Sequence, residues 1–187
     1  MKFSNIEINN FRQYYNSVNI DLETNEERNI VIIGGRNGYG KTNFLLSIVW
    51  CLFGDKISQI DENFKKEIQK EKNYSSFMQQ SINWTAKKEN ITKFSVSIKI
   101  SDIELPELST INSNTDSILI KRIFDVTSMN ETLSIIDPKS GVDYISDFIG
   151  NTGALIDGQF EWDEDRDAYV CAQETFDWWD AVVTANQ

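Results

Sequence analysis

The hydrophobic and polar positions along the chain predict a short series of strands and one clear helix. Lys2 to Asn10 alternates Phe3, Ile6 and Ile8 with polar residues and predicts a strand. Val18 to Leu22 predicts a second, with Ile20 and Leu22 on one face. Asn29 to Ile33 reads NIVII, a fully apolar run that ends in glycines, as a buried strand feeding a loop does. From Lys41 to Phe53, Phe44, Leu45, Ile48, Val49, Leu52 and Phe53 recur at helical spacing, and Gly54 is a natural stop. Asp55 to Lys72 is polar, and its spacing of Ile57, Ile60, Phe64 and Ile68 suggests a thin helical stripe or a mobile insertion. Tyr74 to Trp84 predicts another helix. Thr92 to Ile100 alternates strictly, with Phe94, Val96, Ile98 and Ile100 on one face of a strand. Ser117–Val126 and Thr132–Ile136 predict two more strands, and 105–115 a polar loop.

The last stretch differs. Residues 150–187 hold nine acidic residues and one basic residue, Arg166, and carry three of the five tryptophans. Phe160 and Trp162 alternate, a DEDRD turn follows, and Tyr169 and Cys171 alternate in turn. Phe176, Trp179 and Val183 then recur at helical spacing, so a hairpin followed by a helix is expected, with Trp179 on its buried face. The organisation predicted is a body over residues 1–149 and an acidic, aromatic-rich segment over 150–187.

Composition narrows the function classes. With 40% hydrophobic and 25% charged residues, the profile is that of an ordinary soluble globular chain. The apolar stretch from Phe44 to Phe53 is far too short to span a bilayer, and the first residues lack the apolar core of a signal peptide. No membrane partner and a cytoplasmic location are expected. Cys51 and Cys171 stand far apart without metal-ligand spacing and read as free thiols. The chain has no histidine, which removes the usual imidazole base. The net charge of −11 argues against simple electrostatic wrapping of DNA by this chain alone.

One motif carries chemistry. GGRNGYGKT contains Gly35, four residues, Gly40, Lys41 and Thr42, which is G-x-x-x-x-G-K-[ST] without a mismatch, set between an apolar run and an amphipathic helix. Gly35, Gly38 and Gly40 let the backbone turn tightly and bring N–H groups against phosphate oxygens. The helix beginning near Lys41 would aim its free N–H groups and positive dipole end at the same anion. Lys41 should reach the β and γ phosphates of ATP, and the Thr42 hydroxyl should ligate Mg2+.

The run GRNGYGKTNFLLSIVWCLFG resembles the nucleotide-binding loop and first helix of the SMC, RecF and RecN class, at Asn37, Gly38, Gly40, Lys41, Thr42, Asn43, Ile48, Trp50, Leu52 and Gly54. The opening INNFRQYYNSVNIDL is similar to the same class, and the later hairpins look most like bacterial defence ATPases such as DndD, Lamassu and DdmC proteins. The resemblance is strong over residues 1–54 and weaker to 149. Arg36 departs from it, standing where many members have proline or another small residue. The resemblance implies an α/β P-loop lobe of the ABC/SMC head type, with a mixed sheet and antiparallel β additions. It also implies a DNA-associated ATPase in anti-plasmid or anti-phage defence or in DNA repair. Its partners would be a second ATPase head, a C-terminal half-head, DNA and companion defence or repair proteins. The coiled coil, the LSGG-like signature and a Walker B strand are not recognisable, and ALID at Ala154–Asp157 is too short an apolar run to supply the last. An N-terminal piece of such a head is expected, one that binds ATP without hydrolysing it.

Several residues stay open between two readings. A matching arginine in that class reaches nucleotide phosphates, so Arg12 is either that group or a solvated surface cation. Asn37 either contacts the γ phosphate or supplies a turn conformation. Asn43 belongs to the candidate site by position, although it and Trp50 read more readily as helix packing. Lys65, Lys66, Lys70 and Lys72 alternate with Glu67 and Glu71, either a solvated helix face or a DNA contact. Lys121 and Arg122 are a DNA contact or a sheet-edge charge. The rival function is a non-catalytic interaction module whose acidic aromatic tail binds a basic partner or mimics DNA.

Overall fold

A computed structural model describes residues 2–25, 27, 29–36, 38, 40–60, 62–103 and 116–144, together with the backbone of 160–163 and 168–171. Five strands form one sheet: β1 (Lys2–Asn9), β2 (Ser17–Asp21), β3 (Lys93–Ser101), β4 (Ser117–Asp125) and β5 (Asn130–Ile136), in the order β2-β1-β3-β4-β5. Every pairing in it is antiparallel. The register places Ile6 opposite Ile98 and Ile98 opposite Ile120, so even-numbered residues of β1, β3 and β4 share one face. Ile6, Ile8, Phe94, Val96, Ile98, Ile100, Ile118, Ile120 and Phe124 are all buried. This is the one-sided alternation expected when an antiparallel sheet covers a core with one face only. The expected mixed sheet is not found among the described residues.

Helices cover that face. α1 (Lys41–Phe53) lies on β3 and β4, followed by a 3-10 turn at Gly54–Lys56 and the short helices α2 (Ile57–Ile60), α3 (Glu62–Lys70), α4 (Tyr74–Gln79) and α5 (Trp84–Lys88). α1 buries Phe44, Leu46, Ser47, Trp50 and Cys51. The expected stripe through Leu45, Ile48, Val49, Leu52 and Phe53 is therefore rotated: Leu45 is 54% exposed, and the others are half-buried. A helix apolar on nearly all sides has no unique face in its sequence, and the sheet selects the one that fits. Cys51 sits against the β3 and β4 carbonyls of Val96 and Ile120, and burial pushes its thiol pKa up to about 12. An aromatic cluster joins the layers, with Trp50 stacked on Phe11 at 5.6 Å and tilted against Phe94 at 5.2 Å.

Three expectations are corrected. Asn29–Ile33 is neither paired nor buried: Ile30, Val31, Ile32 and Ile33 are 75, 44, 86 and 45% exposed. A buried strand needs neighbours on its edges and faces, and none of the five sheet strands pairs with this run. The predicted helix over Tyr74–Trp84 is two helices. The chain breaks between them, where Phe11 and Ile82 form an antiparallel bridge and Asn83 caps α5 by accepting from the N–H groups of Thr85 and Ala86. Of the two readings of the polar stretch after Gly54 the helical stripe is borne out, anchored by buried Ile57, Phe64 and Ile68, while Ile60 remains exposed.

Arg122, finally, is neither a DNA contact nor an edge charge. It lies on an interior strand, buried, donating to the Cys51 carbonyl at 2.9 Å and pairing with Glu131. Glu131 also accepts from Trp50 and Tyr74, so one carboxylate ties together α1, α4, β4 and β5.

The expected hairpin over 160–171 is present as β6 (Phe160–Asp163) paired antiparallel with β7 (Ala168–Cys171). The helix expected over 176–183, with Trp179, lies outside the described residues, as does the loop over 105–115.

Candidate functional site

The glycines of the motif behave as their type requires. Gly38 and Gly40 have φ of 84° and 96°, left-handed values that favour glycine, and α1 starts at the next residue. A Cβ at Gly40 would also run into the Gln13 side chain, which folds over this point and donates to the Gly40 carbonyl. No side chain caps the helix at Gly40. Its first N–H groups are therefore left for an external acceptor, and the positive end of the helix dipole faces the same way.

Gly38, Gly40, Lys41, Thr42 and Asn43 line an open cavity of about 370 Å3 at this end of α1. Lys41 and Thr42 are exposed. The Lys41 ammonium donates to the carbonyls of Gly35 (2.6 Å) and Arg36 (3.2 Å), so the loop curls around its own lysine. Asn37 lies outside the described residues. Among those described, no group of three or more His, Cys, Asp or Glu side chains could hold a metal ion. The described part of the site thus offers magnesium the Thr42 hydroxyl, and a phosphate-bound magnesium would draw its other ligands from phosphate and water. Uncapped N–H groups, a lysine and an exposed hydroxyl around one cavity fit a magnesium triphosphate.

Arg12 is brought to the site from the turn after β1. Its guanidinium donates to Asn43 Oδ1 at 2.9 Å and to Glu67 Oε2 at 3.1 Å, and it lies 5.0 Å from the centre of the Phe77 ring. Burial lowers the guanidinium's pKa, with Glu67 acting in the opposite sense, and an arginine so placed stays charged. The solvated-surface reading of Arg12 does not hold. Its backbone has φ of 50°, a conformation unusual outside glycine. The segment after α4 holds it there: Arg12 N–H donates to the Ser81 carbonyl at 2.6 Å, and Asn83 Nδ2 donates to the Arg12 carbonyl at 2.6 Å. The neighbouring Phe11, stacked on Trp50, ties this turn to α1. Asn43 also has a larger part than helix packing, because it joins Arg12 to Gln13 through its two amide atoms.

Gln13, Glu67, Phe77 and Asn83 escape a reading of the sequence as site residues. Only Asn83 leaves a local trace, as a capping residue ahead of a helix. The others matter through contacts made 30 to 65 positions away in the chain, between elements whose docking no local pattern encodes. Glu67 belongs to the alternating charges of α3, where Lys65, Lys66 and Lys70 are exposed while Glu67 turns to Arg12.

Among the described residues no helix is long and apolar enough to cross a membrane. No curated protein matches the chain significantly, so the resemblance to particular defence ATPases has no support from relatives. The family described as AAA domain matches residues 5–169, a span that begins within β1, takes in the loop, the helices and the rest of the five-stranded sheet, and ends within β7. The chain therefore belongs to the AAA domain family of P-loop ATPases found in SMC-like proteins.

Proposed function

We propose that the chain is the ATP- and magnesium-binding N-terminal half of an SMC-like ATPase head that works on DNA. The observation that carries this reading is the uncapped start of α1, ringed by Gly38, Gly40, Lys41 and Thr42, with the held guanidinium of Arg12 one hydrogen bond away through Asn43. In this reading the N–H groups of the loop and first helical turn bind the phosphates. Lys41 leaves the carbonyls of Gly35 and Arg36 for the β and γ phosphates, and Thr42 ligates magnesium. Arg12 adds a second cation at the side of the site.

The carboxylate that positions the attacking water comes from elsewhere, together with the signature motif of a second head. The run Ile30–Ile33 supports a C-terminal half-head as partner. Four consecutive apolar residues in water, directly before the loop, are the sort of segment that an added sheet would cover. Association of closed heads with DNA, and a role in defence or repair, follow from the same reading and rest on the resemblance to SMC-like proteins.

Calorimetric titration of the 187-residue chain with Mg-ATP tests the central claim. Lys41→Ala is expected to abolish binding and Thr42→Ala to weaken it about tenfold, each without a change in the melting temperature of the ligand-free protein. Unchanged ATP affinity in Lys41→Ala would sink the assignment. ATP turnover by the chain alone is expected to be no faster than that of Lys41→Ala.

A further inference from the structure

A second cavity of about 320 Å3 is lined by Arg12, Gln79, Gln80, Ile82, Trp84 and Lys87. Arg12 lines this cavity, and its guanidinium donates to Asn43 on the wall of the cavity at the start of α1. Its lining is unusual in one respect. Trp84 is 68% exposed, whereas Trp50 is fully buried. An indole exposed at the wall of a cavity presents a flat surface on which a ligand ring can stack.

The ring is well supported. Asn83 caps α5 by accepting from Thr85 and Ala86, and its amide donates to the Arg12 carbonyl. The start of α5 and the Arg12 turn are thereby one unit. The Lys88 ammonium lies 5.3 Å from the centre of the Trp84 ring and steadies it.

The wall combines a flat aromatic surface, an aliphatic side chain, two primary amides and two cations. A flat π-system with a polar edge and an anionic tail matches it. We infer that this cavity takes the base of the nucleotide whose phosphates lie at the P-loop. Trp84 is the stacking surface, Gln79 and Gln80 face the base edge, and Arg12 stands between base and phosphates. The volume suits one small ligand. A single-stranded nucleic acid is the less fitting occupant, because such strands are tracked by successive aromatic platforms. The other exposed aromatic in this region, Tyr15, donates to Glu89, whose carboxylate would repel a phosphate backbone.

The assignment rests on the P-loop reading above, and the test separates the two. The 187-residue chain is titrated with Mg-ATP and with Mg-tripolyphosphate, which has the phosphates but no base. Trp84→Ala is expected to weaken ATP binding about tenfold, the size of one base stacked on one ring, and to leave tripolyphosphate affinity unchanged. Trp84→Phe should retain most of the ATP affinity. Melting temperatures of both variants should match the parent's. The base site is overturned if Trp84→Ala leaves ATP binding intact, or weakens both ligands equally. It is also overturned if that variant loses binding of an oligothymidylate while keeping ATP. If Lys41→Ala binds both ligands as the parent does, or if the parent binds neither, the P-loop reading falls and the base site falls with it.

Discussion

Arg12 shows how much of the site depends on single side chains. It has a left-handed backbone, which costs about 1–2 kcal/mol for a residue with a Cβ, and a guanidinium largely withdrawn from water. Both are offset by contacts: two backbone-directed hydrogen bonds from the 81–83 segment, the Asn43 amide, Glu67 and the face of Phe77. Of these partners Glu67 alone is an anion, so under the proposed function it would compete with a phosphate for the same cation. The pair is partly exposed, with side-chain accessibilities of 21 and 38%, which limits the interaction to well under the value of a dry ion pair. Glu67→Gln is therefore expected to raise Mg-ATP affinity about two- to fivefold, with a loss of stability below about 1 kcal/mol. Calorimetry on the variant checks this. A fall in affinity would mean that Glu67 holds Arg12 in place for the ligand and does not compete with it.

At the scale of elements, α1 is set at both ends by glycine. Gly40 starts it with a left-handed turn, and Gly54 ends it at φ 54°, ψ −125°, a region closed to residues with a side chain. A Cβ at Gly54 would also meet the Arg122 guanidinium, which cannot move aside without breaking its buried pair with Glu131. Gly54→Ala is expected to destabilise the fold by about 2 kcal/mol or more, lowering the melting temperature by several degrees in a chain of this size. A thermal melt within a degree of the parent's would show that the end of α1 can relax. The helix itself was readable from spacing, and its termini from two glycines. Which face it buries was not, because Leu45, Ile48, Val49 and Leu52 are as apolar as Phe44, Leu46 and Trp50, and only the shape of the sheet separates them.

For the molecule as a whole, the sheet is antiparallel and one-sided, and the four consecutive apolar residues Ile30–Ile33 are left outside it. Ile30 and Ile32, at 75 and 86% exposure, contribute little to the described core. Ile32→Lys is expected to leave the melting temperature of the chain within about 2 °C of the parent's, since less than about 1 kcal/mol of packing is removed. The same change should reduce self-association at high concentration, measured by light scattering, because it interrupts an exposed apolar segment. A drop of several degrees would place Ile32 in the core and contradict its exposure.

The sequence by itself determined the features carried by a strong local or periodic signal. Strict alternation located β3, helical spacing with a glycine at each end located α1, and the loop motif located the proposed phosphate site at Gly35 to Thr42. These signals lie within a few neighbouring residues, so no knowledge of docking is needed to see them. Only the tertiary structure decided the rest. It left NIVII outside the sheet and placed β3 inside it, because burial of a strand depends on partners as well as on its own composition. It turned Arg122 from a candidate surface charge into a buried tie, because β4 lies inside the sheet. And it assembled Arg12, Asn43, Glu67, Phe77 and Asn83 around one guanidinium, because hydrogen bonds and ring contacts form between groups that the fold, not the chain, makes neighbours.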